Sequence, residues 1–514
     1  MALTLLGATA RADYGFTVGG SLNLGAGSSE FAPYYMHANR HGKITQSKNA
    51  QIDLWAIDSL DLSKRFDFSW GVEALGGYAN KADYLRWDPT AGEWYRNPQG
   101  PAPIWVQQLF AEVKWRSLFL SVGLKDRNSC FVDQELSSGD LLWSGNSRAI
   151  PEVRIGFVDF QNIPLTKGWV QIDACISYGK FVDTKWVNNH FDYYTGKRNP
   201  GTLWTYKRLA LRSNPDKPFM GQIGIQMSGL FGGKTFYYGD GTLTSVADNY
   251  NGFKDFIQIL LPFWDSSKEG YRVGDTKGTW DIAARYRFKG GESLRAYVQF
   301  PWEDSSGIYK ANGFDGLYGL EFKLGRRWWI TGAVAEYLDM TNMSGPLIWD
   351  PVYNSDGVTL GYKASGRDAY YNNFFYRAYV NYGMTMGTPM VQGSLFFTGD
   401  GHETIPEDGT LPYFRVRGFH IALTGNLTDN CEYVVKYNHR KAWGDTNRLT
   451  LIRPIEADSF IVGARYSFNQ VPGLSLGAAI AVDHGTMPGN AVAGMVTVSY
   501  EKRIIKHQGK NQTK

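Results

Sequence analysis

Apolar and polar positions alternate along much of this chain with a period of two. In WDIAARYRF, Trp280, Ile282, Ala284, Tyr286 and Phe288 fall on one side, with Asp281, Ala283, Arg285 and Arg287 on the other. SLRAYVQF repeats the pattern: Leu294, Ala296, Val298 and Phe300 oppose Ser293, Arg295, Tyr297 and Gln299. SFIVGARYSF sets Phe460, Val462, Ala464, Tyr466 and Phe468 against a side that carries Arg465. These runs predict half-buried β-strands whose second face returns repeatedly to arginine. A soluble sandwich would turn that polar face to solvent, whereas a membrane barrel turns it to the lumen and shows the apolar face to lipid.

Alternation does not choose between the two; the connections do. Short ones fall at 64–65, 116–117, 161–168, 212–218, 289–292, 325–326, 387–389, 427–430 and 469–473. Long ones fall between them, at 79–103, 125–151, 180–201, 303–316, 339–371, 399–413 and 442–457. Short turns at one end and long loops at the other are the habit of outer-membrane barrels. The stretch 251–263 keeps this parity only as a short helix: Phe253, Phe256, Ile257, Leu260 and Leu261 recur at helical spacing before Pro262, within one excursion over 231–278. About twenty strand-like segments remain, from one near Tyr14 to Leu24 to one near Ala491 to Tyr500, and two of them are short or lie outside the wall. The fold expected is all-β, a transmembrane antiparallel β-barrel of about 18 strands, within roughly 16 to 20.

Composition narrows this further. Among 514 residues, 15% are aromatic and 20% charged, and no run of ~18 apolar residues occurs, so a helical span is excluded. MALTLLGATARA has a short apolar core and the small-residue pattern Ala10-Arg11-Ala12, which reads as the remnant of a secretory signal peptide over 1–12. A single barrel domain over 13–501 and a basic polar tail over 502–514 follow. Cys130, Cys175 and Cys431 lie far apart without CxxC or Cys/His spacing, so neither a metal site nor a disulfide framework is expected. A formal charge of +4 with no basic run interleaved with aromatics excludes nucleic acid as the expected partner, and no cofactor signature is present.

The chemistry that does recur suits sugars. Pyranose C–H faces stack on Trp and Tyr, and hydroxyls match Asn, Asp and Arg groups, so the two kinds of residue must be interleaved. The loop SSGDLLWSGNSRAIPEVRIGF supplies Asp140, Trp143, Asn146 and Arg148, followed by Arg154. GRDAYYNNFFYRAYVNYGM supplies Arg367, Asp368, Tyr370, Tyr371, Asn372, Asn373 and Arg377, and KYNHRKAWGDTNR adds His439, Arg440, Trp443 and Asp445. The plain alternative for each is a girdle aromatic, a turn residue or a lumen ion pair.

Four segments, APYYMHANRHGKI, SSGDLLWSGNSRAIPEVRIGF, YYNNFFYRAYVNYGMTMGTP and FHIALTGNLTDNCEYVVKYNHRKAWGD, resemble in order the capsule assembly Wzi family, in its Bacteroides-type branch. The resemblance implies an eighteen-stranded outer-membrane barrel with an occluded lumen that acts as a lectin for capsular polysaccharide. It also implies that the 137–157 loop folds into or over the barrel mouth, near glycan or as a plug. Two departures stand out: the periplasmic helical bundle of the enterobacterial representative has no counterpart in 13–48, and Tyr500 is followed by a basic tail instead of ending the chain.

The expected function is a non-enzymatic surface lectin of a Gram-negative outer membrane. It would anchor capsular or exopolysaccharide, contact outer-membrane lipid and act as a monomer. Arg148, Arg154, Arg285, Arg295, Arg377 and Arg465 would suit an acidic glycan. A porin or polysaccharide export channel is the alternative, with the same arginines along a water-filled path. An outer-membrane lipase would need a Ser and a His on adjacent strands. Ser394 and His420 fall on neighbouring expected strands, without a third orienting group.

Overall fold

The computed structural model describes residues 15–505 except 89, 192–195, 250–251, 261–273, 304, 345–347, 366–367, 374, 399–408, 445–453 and 488. Eighteen antiparallel strands form its wall. They are β1 (Gly15–Gly27), β2 (Asn49–Ile57), β3 (Phe66–Ala79), β4 (Ile104–Trp115), β5 (Leu118–Leu124) and β6 (Glu152–Phe157). Next come β7 (Val170–Lys180), β8 (Leu203–Ser213), β9 (Phe219–Phe231), β10 (Asp275–Arg287), β11 (Ser293–Trp302) and β12 (Gly316–Lys323). The last six are β13 (Gly332–Asp339), β14 (Val416–Thr428), β15 (Cys431–Ala442), β16 (Ile455–Ser467), β17 (Leu474–Gly485) and β18 (Ala491–Ile505).

Each strand pairs with its neighbour in sequence, and β1 pairs with both β2 and β18, which closes the ring. Closure leaves no strand edge in the wall, so its ladder groups can sit in lipid without water. The apolar face points outward, as the inverted assignment requires. Leu22, Ile52, Leu54, Val153 and Ile155 are exposed, while Asn23, Gln51, Asp53, Glu152 and Arg154 between them are buried. Exposed Phe66, Trp115, Trp169, Phe219, Trp328 and Trp329 lie at or beside the short turns, as an interfacial aromatic girdle does.

The parity read from the sequence holds. Connections at one end are short, such as 116–117, 288–292 and 429–430, and those at the other include 80–103, 125–151, 181–202, 232–274 and 340–415. The helix expected at 251–263 is present as Phe253–Gln258; residues 251 and 261–263 lie outside the described ones. So do residues 1–12, expected as the remnant of a signal peptide, and Arg367 and Asp445. At the other terminus, Lys502 to Ile505 continue the last strand, so the wall extends into what was expected to be tail.

One expectation is corrected. The two strands anticipated around the 387–389 turn are absent from the wall, and their residues fold into the lumen within a single excursion over 340–415. The reason is visible in their burial: Tyr376, Tyr379, Val380, Met384, Met386, Met390, Val391, Leu395, Phe396 and Phe397 are all buried. A run apolar on both sides cannot present one face to a polar lumen. It packs as a core instead, and among the described residues its only ladder is the two-residue pair Val380–Asn381 with Met384–Thr385.

That core is a plug of three segments. Residues 28–48 contribute Tyr34, Tyr35 and Met36; 125–151 contribute Leu141, Leu142 and Trp143; and the third contributes Tyr371, Tyr379, Met386 and Met390. Polar wall residues receive it. Glu336 accepts the Ser137 hydroxyl and the Ser138 N–H, both at 2.6 Å, and Gln299 accepts the Leu141 N–H at 3.0 Å. Asp483 accepts the Tyr34 N–H at 2.8 Å, and Arg295 donates to the Phe131 carbonyl at 2.6 Å. The described residues therefore occlude the lumen with packed side chains.

Candidate functional site

Most residues singled out by sequence build this plug. Both carboxylate oxygens of Asp140 are taken: one accepts the N–H groups of Leu142 and Trp143 at 2.8 and 3.1 Å, the other Ser129 at 2.6 Å and Gln226 at 3.1 Å. Trp143 lies 4.9 Å from Trp204 between ring centroids and donates its indole N–H to the Arg127 carbonyl. Exposing an indole of ~200 Å² costs about 5 kcal/mol at ~25 cal/mol per Å², more than the ~1 kcal/mol of an aromatic contact, so Trp143 holds the plug together. Asn146 accepts the Asn39 N–H at 3.1 Å and donates to the Thr385 carbonyl at 2.9 Å, linking all three segments.

The 370–377 residues behave alike. Tyr370 donates to Asp315 at 2.7 Å, and Tyr371 donates to the Leu141 carbonyl. Asn372 exchanges two hydrogen bonds with the Leu411 backbone at 2.8 and 3.0 Å, and Asn373 caps the N–H groups of Phe375 and Tyr376. Arg154 pairs in the wall with Glu152 at 2.8 Å. His439 and Arg440 part company because they are adjacent on β15: His439 meets Asp458 at 3.0 Å, whereas Arg440 is fully buried 4.0 Å over the Tyr34 ring. Trp443 follows the strand, with Arg417 6.0 Å over its ring.

Arg148 and Arg377 lead elsewhere, to the face with the long loops. There Asp183, buried by two hydrogen bonds from Arg377 at 2.6 Å each and one from the Tyr382 N–H at 2.9 Å, precedes the short helix Thr184–His190. Trp186 and His190, one turn apart, stack with centroids 3.8 Å apart and ring planes at 22°. The Arg148 guanidinium sits 4.4 Å over Trp105 and 4.6 Å over Tyr382. Gly383, at φ +71°, admits the indole, since a Cβ there would come within 2.5 Å of Trp186. Two clefts adjoin this cluster. One opens to solvent and is lined by Trp186, Val187, Phe191, Arg198, Asn199 and Arg377. The other, also open to solvent, is lined by Gln46, Pro101, Arg148, Trp186, His190 and Tyr382.

Electrostatics suit an anion. Burial pulls the Arg148 pKa down to about 10, against the opposing pull of Tyr382 and Asp126, which leaves it charged at neutral pH. Burial pushes His190 down to about 4, so its ring is neutral there, with Nδ1–H donated to the Trp186 carbonyl at 2.8 Å. A planar cation between arenes, beside a half-buried indole, matches a sugar ring that carries a carboxylate. Of this cluster only Arg148 and Arg377 were foreseen. Trp105, Trp186, His190 and Tyr382 were missed, although the Trp and His four apart in TKWVNNH carried a helical signal inside a loop.

The lipase pair is not assembled. Ser394 lies in a short buried turn of the plug, and both ring nitrogens of His420 are engaged, Nδ1 by the Tyr35 hydroxyl and Nε2 by the Leu136 carbonyl, at 2.7 Å each. Among the described residues no His/Cys/Asp/Glu group is arranged to hold a metal, and the three cysteines are unbridged.

Comparison with known proteins matches the fold and no more. No family model matches the chain, and no curated protein does. Among solved structures it is similar to Wzi, described as an outer membrane protein involved in group 1 capsule assembly in Escherichia coli and as a carbohydrate-binding β-barrel. That likeness has a TM-score of 0.55 at 11% identity, over 96% of this chain and 85% of the other. OccAB2 of Acinetobacter baumannii follows at TM-score 0.44 and 11% identity, over 95% and 98%, and OmpF of Salmonella typhi at 0.38 and 10%, over 95% and 98%. The chain thus has the closed antiparallel eighteen-strand barrel fold of outer-membrane proteins.

Proposed function

We propose that this protein is a non-enzymatic lectin of a Gram-negative outer membrane that holds an acidic capsular or exopolysaccharide at the cell surface. The observation that carries this reading is Arg148, held charged between Trp105 and Tyr382 beside the Trp186–His190 stack, on the face where the long loops gather. The packed plug supports retention at the surface over passage through the lumen. The carbohydrate binding stated for Wzi, whose fold this chain shares, agrees with it.

The test joins two measurements on protein refolded in detergent. A calorimetric titration with an acidic capsular polysaccharide should give saturable binding that a neutral glycan does not reproduce, while planar bilayers show almost no single-channel conductance. Steady large conductance without glycan binding would move the assignment to a porin or export channel, and acyl hydrolysis lost on Ser394→Ala would move it to a lipase.

A further inference from the structure

The short-turn end of the lumen carries charge of its own. Arg285 of β10 stands directly opposite Arg295 of β11 in the ladder, with Arg287 two residues nearer the turn. Arg212 of β8 joins them, and the like charges of Arg287, Arg212 and Arg295 all bear on Arg285. Like charges facing each other across a ladder are unfavourable; Asp216 offsets them in part at Arg285, and Asp159, Asp173 and Asp216 do so at Arg212. Arg285 donates to the Pro215 carbonyl at 2.5 Å, Arg295 to the Phe131 carbonyl, and Arg212 to the Gln171 side chain at 2.7 Å. Glu321 is 4.0 Å from Arg295 and is shared with Lys323 at 3.6 Å. The Nε of Arg285 is buried and has no hydrogen-bond partner among the described residues.

Two rings hold neighbouring cations in place. Arg212 lies 3.9 Å over Phe160, and Lys217 lies 5.4 Å over Trp169, on the connection that follows β6. Arg287 is exposed, and Arg212, Arg285 and Arg295 are half-buried, so solvent reaches the group. The plug separates it from the clefts of the opposite face.

We propose that Arg212, Arg285, Arg287 and Arg295 form an oxyanion-binding site at the periplasmic mouth, which takes the carboxylate or phosphate groups of an anionic chain. Guanidinium groups already oriented by carbonyl and ring contacts lose little freedom on binding, and each adds charge-assisted hydrogen bonds to an oxyanion. A bound anion also relieves the Arg285–Arg295 repulsion that the empty wall retains.

The experiment titrates the Arg148→Ala variant, in which the external cleft is weakened, with inorganic tripolyphosphate in one arm and trigalacturonate in the other. Saturable binding is expected in at least one arm, weakened at least tenfold by Arg285→Gln with Arg287→Gln and less by the lip substitution Arg287→Gln alone. Phosphate alone binding identifies a phosphorylated chain, the uronate alone a carboxylated glycan, and both a site that reads charge only. Retained heat-modifiable mobility establishes that each variant is folded. No binding in either arm, or equal binding by the glutamine variants, overturns the proposal whatever becomes of the external lectin site.

Discussion

Arg377 grips Asp183 at two points, its two terminal nitrogens each 2.6 Å from a different carboxylate oxygen, and thereby ties the plug to the loop that bears the Trp186 helix. The carboxylate is fully buried and the guanidinium nearly so. Removing one partner of such a pair leaves the other charge unpaired, at about 3–5 kcal/mol. Arg377→Met should therefore loosen the plug and speed limited proteolysis within 340–415, whereas Asp183→Asn, which keeps an acceptor for the Tyr382 N–H, should do so less. Unchanged cleavage and thermal midpoint in Arg377→Met would show that the pair does not anchor the plug.

Arg148 is held by two arenes, and that makes its shape as important as its charge. Arg148→Lys keeps the cation but loses the planar face that stacks on Trp105 and Tyr382. Affinity for an acidic glycan should fall about tenfold in Arg148→Lys and further in Arg148→Ala, about 1.4 kcal/mol per factor of ten. Trp186→Ala, which removes the ring shared by both clefts, should weaken acidic and neutral ligands alike. Calorimetry on the three variants distinguishes these effects, and wild-type affinity in Arg148→Lys would remove stacking from the account.

Occlusion rests on plug side chains received by wall residues such as Glu336, Gln299 and His420. Deleting 370–397, or replacing Glu336 by Ala so that Ser137 and Ser138 lose their acceptor, should open the lumen. Stable conductance steps are expected for the deletion and brief flickering openings for Glu336→Ala. Silent bilayers with the folded deletion variant would mean that the remaining segments close the barrel unaided.

His190 gives a pH dependence of defined sign. Its folded pKa, pushed by burial to about 4, lies below the unfolded value of about 6.5, so between those limits the unfolded chain binds more protons. The stabilisation is complete above about pH 6.5 and is lost as pH falls toward 4. The thermal midpoint of the wild type should drop over that window more than that of His190→Gln, which keeps a donor for the Trp186 carbonyl. Parallel curves would show that the ring ionises freely in the fold.

The sequence by itself determined which way the wall strands face. A period of two with the apolar side facing lipid is a local property of each strand, so Ile282 outside and Asp281 inside follow from eight or nine residues of pattern. The alternation of short and long connections then assigns the two ends, and it left a short helix within 251–263 as the one way to keep parity; it folds at Phe253–Gln258. Tertiary structure decided which long loops turn inward. Ser138 reaches Glu336 across 198 positions and Tyr35 reaches His420 across 385, and no local pattern encodes such pairs. The 372–398 run looked like two strands because its aromatic and methionine content suits a buried surface, whether that surface is a wall or a core. For the same reason Asp140, Trp143 and Asn146, which carried the right groups for a sugar, are consumed by the plug. Arg148, a few residues on in the same loop, reaches the open face: the chemistry was local, but exposure depends on where the rest of the chain packs.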